Sequence, residues 1–390
     1  MNVLAPFGFF GAGNIGDEST LQGFAHLVSQ YQRHLRVWIA SRNPSHTSRV
    51  EPSFNYYHSR GRNLRCRWAR FRSTAQVIVG GTPIMDILGK WPLSELTPII
   101  SAAHSQQQPV VFIGSGIERL QREESRRLFN EKLAPVVRYW TVRSERDKRR
   151  LLEYGVKAER VSVAADLAWT LDARGDEYGR GLLTKLGVDV NRYLVGVNLT
   201  NEDFVNHKEP RLFEKTAEFL DGIIEKQNAK ILFFANEVRE GESFDKAASQ
   251  KAIACMKHKD QAVMIPNEYR TPQQTLSLVS CCQLTVSMRY HFCLFSALQS
   301  VPFIALKRSD KVDDLCWDMD WTYGITMDNF TPTELMDRFS ALEENRKSVI
   351  AHLRNQVQSM RTRALTNHLA LDALLDKNIY GAEMEGLELA

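Results

Sequence analysis

No apolar run in this 390-residue chain approaches the roughly 18 residues that a membrane-spanning helix needs, so no helical span is expected. Cysteine is sparse. The six (Cys66, Cys255, Cys281, Cys282, Cys293, Cys316) include no CxxC pair, and adjacent Cys281 and Cys282 cannot easily bridge, which predicts reduced, buried thiols in the cytoplasm. HExxH, a His/Cys cluster and a Walker lysine are all missing, so metal hydrolysis and P-loop chemistry are disfavoured and no metal ligand set is expected. Charge of one sign is missing too: 50 Lys and Arg against 46 Asp and Glu leave +4, too little over this length to suggest a nucleic-acid partner. Internal repeats and low-complexity tracts are absent. The apolar start, Met1 to Gly13, lacks a basic leader and runs straight into Asn14-Ile15-Gly16-Asp17, so it reads as a strand rather than a signal peptide.

What is present is an ordinary globular composition, 43% hydrophobic and 25% charged, in a length that suggests two domains. Short apolar runs alternate with amphipathic stretches, the rhythm of βαβ units. Strands are expected at Val3–Phe10, Leu35–Ala40, Gln76–Val79, Val110–Ile113, Tyr139–Val142 and Val161–Ala164. After a polar stretch around Asp172–Gly181 the rhythm restarts, with strands at Leu194–Asn198, Ile231–Phe234, Val263–Ile265, Leu284–Ser287 and Val301–Leu306. From Pro332 to about Lys377 the pattern is helical. The reading is two Rossmann-like, doubly wound parallel-sheet domains (1–180 and 181–330), with C-terminal helices (331–390) packing across them. Such sheets bind ligands beyond the carboxyl ends of their strands, so the site is expected in the cleft between the domains.

Several unusual residues map to those strand ends. Gly8-Phe-Phe-Gly11-Ala-Gly13-Asn14-Ile-Gly16-Asp17-Glu18 follows a strand and opens a helix; glycine admits close ligand approach and a helix N-terminus favours an anion. It matches GxGxxG literally, yet Asp17 and Glu18 would repel a pyrophosphate, and a tight turn with Asp17 as the helix cap accounts for it equally well. Glycine turns recur in Gly80-Gly81-Thr82 and in Gly114-Ser115-Gly116, either to make room for a ligand or because βα turns favour glycine. Arg143 ends a strand, as a fork for a carboxylate or phosphate or as the ion-pair partner of Glu145 or another acid. Arg289 and His291 follow Ser287, where a cation and an imidazole suit an anionic substrate and proton transfer; alternatively His291 shares a core face with Leu294, Phe295 and Leu298. After the last strand Lys307-Arg308-Ser309-Asp310-Lys311 forms a further cationic cluster, with Lys311 as a candidate for the anion or the whole segment as a solvated loop.

These motifs, together with Val142-Arg143, Leu151 to Val156, Ala165-Asp166-Leu-Ala168, Met288-Arg289-Tyr-His291-Phe and Asp310-Lys311-Val312, resemble the polysaccharide pyruvyl transferase family over most of residues 8–320. The resemblance implies a GT-B-like fold and transfer of pyruvate from phosphoenolpyruvate, as donor substrate without a further cofactor, onto two hydroxyls of a polysaccharide or lipid-linked sugar as a cyclic ketal. It also implies donor binding by Arg143, Arg289 and Lys311 and acid or base work by His291; Gly13, Asn14, Asp17, Gly81, Gly114 and Ser115, in the turns at the strand ends, are expected to contact substrate. Where the family usually has Asp after the arginine, this chain has Ser144. A GT-B glycosyltransferase using a nucleotide sugar is the second enzymatic reading, and a carbohydrate-binding relative without turnover the third.

One segment stands apart. Arg60 to Arg72 holds six arginines, with Leu64, Trp68 and Phe71 at helical spacing. A basic amphipathic helix fits an anionic membrane surface, making the protein peripheral at the inner face of the membrane, or a lipid-linked sugar diphosphate. The plainer expectation is an exposed charged helix whose apolar face packs on the domain.

Overall fold

Apolar runs too short for helices, punctuated by glycine and polar turns, become parallel strands buried on both faces. The protein, described from a computed structural model over residues 1–31, 35–60, 64–87, 89–238 and 243–375, forms two such sheets. The first contains β1 (Asn2–Ala5), β2 (Arg36–Ser41), β3 (Asn55–His58), β4 (Ala75–Val79), β5 (Val110–Ser115), β6 (Val137–Val142) and β7 (Val161–Val163). Their order is β3-β2-β1-β4-β5-β6-β7, and every pairing is parallel. The second contains β8 (Leu194–Asn198), β9 (Lys230–Phe233), β10 (Ala262–Met264), β11 (Leu284–Ser287), β12 (Phe303–Lys307) and β13 (Gly324–Thr326). Its order, β10-β9-β8-β11-β12-β13, is again wholly parallel. Both are doubly wound, as the sequence rhythm predicts, and strand order reverses beside β1 and β4 in one sheet and beside β8 and β11 in the other.

Period-two alternation divides the first core. Val77, Val79, Val111 and Ile113 face a cluster with Leu21, Phe24, Leu371 and Leu374, whereas Ile78, Val110 and Phe112 face Leu96, Ile100, Phe129 and Trp140.

The chain divides into two compact units: Met1–Ala12, Asp17–Thr170 and Arg361–Ala390 form one, Gly13–Gly16 and Leu171–Met360 the other. The helix Pro332–Glu344 and most of Arg346–Leu365 thus belong to the second unit, while His368–Leu375 packs on β5 and β6 of the first. There Asn367 accepts from Thr141 Oγ1 at 2.6 Å and donates to the Ala165 carbonyl at 2.9 Å.

Several expectations need correcting. The first strand stops at Ala5 because Pro6 cannot donate to a ladder; the apolar residues after it form a loop in which Phe10 is buried. Edge strands β3 and β13 lie outside the expected set. Five cysteines are buried as expected, but Cys255 is exposed. The apolar stripe of the basic helix Leu64–Arg72 is packed only in part: Cys66 and Ala69 form its buried side, Trp68 leans on Trp38 while 42% exposed, and Leu64 and Phe71 face solvent. Residues 61–63 of that segment, and 376–390 of the expected C-terminal helices, lie outside the described residues. No helix among the described residues is long and apolar enough to cross a membrane.

Candidate active site

In the first unit, three neighbouring strands end in the predicted turns. Backbone bonds tie them together: Gly80 N–H donates to Ile113 O at 2.8 Å, Gly116 N–H to Gly81 O at 2.9 Å and Arg143 N–H to Ser115 O at 3.3 Å. Gly81, Gly114, Ser115 and Arg143 are therefore brought together at one sheet end. Gly81 has φ +65°, and a methyl built there would meet nothing within 4 Å, so backbone conformation rather than crowding requires glycine.

Arg143 is 7% exposed, and its guanidinium is already engaged. Nη1 pairs with Asp166 Oδ2 at 3.2 Å and Nη2 donates to Thr82 Oγ1 at 3.0 Å. Asp166, fully buried, also accepts from Thr20 Oγ1 at 3.2 Å and the Ala168 amide at 3.0 Å. The ion-pair reading of Arg143 is thus realised with Asp166, while Glu145 is exposed. Glycine at 116 admits the guanidinium: a methyl there would lie 1.9 Å from Nη2. Ser144 caps the helix Glu145–Glu153, its Oγ accepting from the Asp147 amide at 3.1 Å. Burial raises the pKa of Asp147, against the opposing charge of Arg143.

The N-terminal glycine motif divides its work. Gly11 N–H donates to Glu18 Oε1 at 2.6 Å, and Glu18, 1% exposed, has its pKa raised to about 7 by burial against that bond. Asp17 does not cap the helix. The helix begins at Ile15, and Asn14 Oδ1 accepts from the Gly16 amide at 2.9 Å, leaving Asp17 in the first turn of a helix whose N-terminal dipole favours an acid.

Gly13 to Gly16 are stitched to the second unit's own chain. Gly13 O accepts from Val238 N–H at 2.7 Å, Ile15 N–H donates to Asn236 O at 3.0 Å, and Asn14 bridges Glu237. Gly13 has φ +84°, and an added methyl would fall 2.1 Å from Val238 O. Close backbone approach therefore accounts for this glycine.

The strand-order reversal of the second sheet carries the densest ionic cluster. Arg289 directly precedes the helix Tyr290–Leu298, and its amide donates to Ser287 Oγ at 3.0 Å. Its guanidinium meets Asp245 Oδ1 at 2.6 Å, Glu202 at 3.7 Å, Glu237 at 3.8 Å and Thr200 Oγ1 at 3.0 Å. Burial works against the charge, but Asp245, Glu202 and Glu237 outweigh it and raise the pKa of Arg289. Arg308 pairs with Glu202 and donates to Met288 O at 3.1 Å; burial and the nearby Arg289 push its pKa down to about 10. Three carboxylates therefore face two guanidiniums. Of the acids, Asp245 is fully buried and Glu237 nearly so, whereas the Glu202 side chain is 24% exposed. His291 is half-buried, against Gly16, with Tyr290 and Phe295 around its ring. Lys311 lies in the first turn of the helix Asp310–Asp318, following β12.

The sequence profile of the polysaccharide pyruvyl transferase family matches residues 14–310. The chain belongs to that family. It is accordingly a polysaccharide-modifying transferase, and the matched span contains both Arg143 and Arg289. No curated protein matches the chain in sequence. Among solved structures, this family member is similar to Anabaena Alr3699/HepE in complex with UDP (TM-score 0.64, 12% identity, covering 96% of this chain and 99% of that one). It is also similar to UDP-GlcNAc 2-epimerase from Neisseria meningitidis bound to UDP-GlcNAc (TM-score 0.61, 12% identity, 96% and 100%). A glycosyltransferase from Rickettsia africae aligns with TM-score 0.54 at 10% identity, covering 100% and 99%. These likenesses show a shared GT-B-like fold.

Sequence reading did not single out Asp245, Glu202, Glu237 or Thr82. Asp245 stands 44 residues from Arg289, and nothing local to either announces the pair.

Proposed function

We propose that the protein moves the pyruvyl group of phosphoenolpyruvate onto two hydroxyls of a polysaccharide or lipid-linked sugar, forming a cyclic ketal and releasing phosphate. Family membership supports the transfer class. The observation that carries the donor reading is Arg289, a guanidinium fixed at the strand-order reversal of its sheet by a buried aspartate, beside His291. A cation held in place without reorganising is what a developing phosphate leaving group needs.

In this reading a proton goes to the methylene carbon of phosphoenolpyruvate, and the central carbon becomes electrophilic. The first sugar hydroxyl bonds to it and loses its proton; the carbon–oxygen bond to phosphate breaks; the second hydroxyl then closes the ketal. Protons balance, because the two released by the hydroxyls replace the one consumed at carbon and protonate the departing phosphate. In this reading His291 hands the protons across, imidazole being a group that can act as acid or as base. Lys311, in the same unit as Arg289, serves the donor's anionic groups. Side chains suffice for every step, so the scheme needs no cofactor.

The carboxylate excess beside Arg289 sets a condition on this reading. A trianionic donor must displace an acid, and Glu202, the most exposed of the three and shared by Arg289 and Arg308, is the one to swing away. A nucleotide-sugar donor is the second reading, favoured by the neighbours solved with UDP and UDP-GlcNAc.

Thermal unfolding with each ligand separates the two. A ligand at about a hundredfold excess over its Kd stabilises the folded state by about 2.7 kcal/mol. Phosphoenolpyruvate is expected to raise the midpoint, and Arg289→Lys, which keeps the charge but loses the fork, to abolish the rise. A rise with UDP alone would replace the donor.

A further inference from the structure

The helix Leu64–Arg72 presents its apolar residues away from its own domain. Cys66 (2% exposed) and Ala69 (fully buried) seat it against Leu4, Trp38, Ala40 and Tyr57, while Leu64 is 81% exposed and Phe71 86%. At about 100° per residue, Leu64, Trp68 and Phe71 fall within one narrow stripe opposite the seated side. Arg67 flanks that stripe on one side, Arg65 and Arg72 on the other. Trp68 is braced edge-on against Trp38 at 5.1 Å between ring centroids, with the Arg72 guanidinium 5.4 Å from its ring. Between Glu51 and Asp86 the sequence has no acidic residue, so no sequence neighbour offsets the charge of the arginines.

We propose that this helix docks the protein on an anionic lipid bilayer, with Leu64, Trp68 and Phe71 entering the interface and Arg65, Arg67 and Arg72 meeting headgroup phosphates. The occupant follows from charge complementarity together with shape. The face needs an apolar centre with negative charge on both sides of it, at the same depth, along a helix of only nine residues. A bilayer supplies acyl chains beneath a plane of phosphates and so meets that need without a matching contour. A nucleic acid would match the arginines but leave Leu64 and Phe71 in water. The inference is independent of which donor the enzyme uses.

The test is cosedimentation of the full chain with vesicles of phosphatidylcholine alone and of phosphatidylcholine with about one third phosphatidylglycerol. Binding is expected to the anionic vesicles only, weakening as salt is raised. The double change Leu64→Ser with Phe71→Ser should lower it at least tenfold. Arg65→Gln and Arg67→Gln should each lower it roughly fivefold. Trp317→Ser, which removes an 84% exposed tryptophan from an acidic helix, should leave it unchanged. None of these side chains supports the core, and unchanged unfolding midpoints would verify that. No binding by the wild type, equal binding to neutral vesicles, or indifference to the apolar change would each overturn the proposal. Capture by polyglutamate without vesicle binding would assign the face to an acidic protein and overturn it as well.

Discussion

His291 rests on Gly16: a methyl built on that glycine would lie 2.2 Å from His291 Nδ1. The imidazole is thus positioned by the last glycine of a motif whose earlier glycine, Gly13, is committed to backbone contact with Val238. Gly16→Ala should force the ring out of its place, costing about 1–3 kcal/mol of stability and changing the His291 ring resonances in an NMR titration. Gly181→Ala, in the helix Glu177–Lys185 with open space around it, should instead stabilise by up to about 1 kcal/mol. Equal effects from both would sink this account of Gly16.

Asp166 and Arg143 form a buried pair, and removing one partner strands the other. Asp166→Asn should destabilise by about 3–5 kcal/mol in denaturant unfolding. Combining it with Arg143→Met should recover part of that loss, since no buried charge is then left alone. An additive double variant would show that the pair is not coupled.

Glu18 makes stability depend on pH. Its carboxyl, at about 7 when folded against 4.5 as the reference value, binds its proton more tightly in the folded chain. Its contribution to stability is then greatest below pH 4.5 and is lost as pH rises towards 7, by about 3 kcal/mol at most. Glu18→Gln keeps an acceptor for the Gly11 amide and should raise the unfolding midpoint at pH 8 while changing it little at pH 5. The same gain at both values would refute the assignment.

Ser144→Ala removes a helix cap and should cost about 1 kcal/mol; Ser144→Asp, which keeps a side-chain acceptor at the cap, should cost little. Unfolding midpoints of the two variants measure this directly.

Glu202→Gln bears on the donor. If that acid competes with an anionic ligand for Arg289 and Arg308, its neutralisation should tighten phosphoenolpyruvate binding several-fold by calorimetry. Weaker binding would mean that Glu202 holds the arginines in their binding geometry instead.

Both sheets could be read from sequence because a parallel strand buried on two faces leaves an uninterrupted apolar run, as in Val110 to Ile113 and Leu284 to Ser287. The same logic misled at Phe7 to Phe10, apolar because Phe10 enters the core from a loop, and it passed over β3, whose central Tyr56 and Tyr57 are bounded by Asn55 and His58. Strand-end residues such as Arg143 and Arg289 stood out because a charge closing an apolar strand needs a reason. Their pairings did not: Asp245 went unnoticed and Asp166 entered only within a family motif, since both acids reach the arginines through sheet order, which a linear reading of one sequence does not contain. The outward turn of Leu64 and Phe71 was hidden for a related reason: apolar spacing gives a stripe, and only the seat formed by Cys66 and Ala69 decides which way it looks.

The assignment of Gly13–Gly16 and of Arg361 onward to units other than those of their chain neighbours has a consequence for dissection. A cut at Leu171 would give an N-terminal piece without the helix that carries Leu371 and Leu374, and a C-terminal piece whose Asn236–Val238 segment has lost its backbone partner. Neither half is a gene-level cassette. Swapping one unit between relatives would therefore require four junctions moved together, and split halves should regain structure only when expressed side by side.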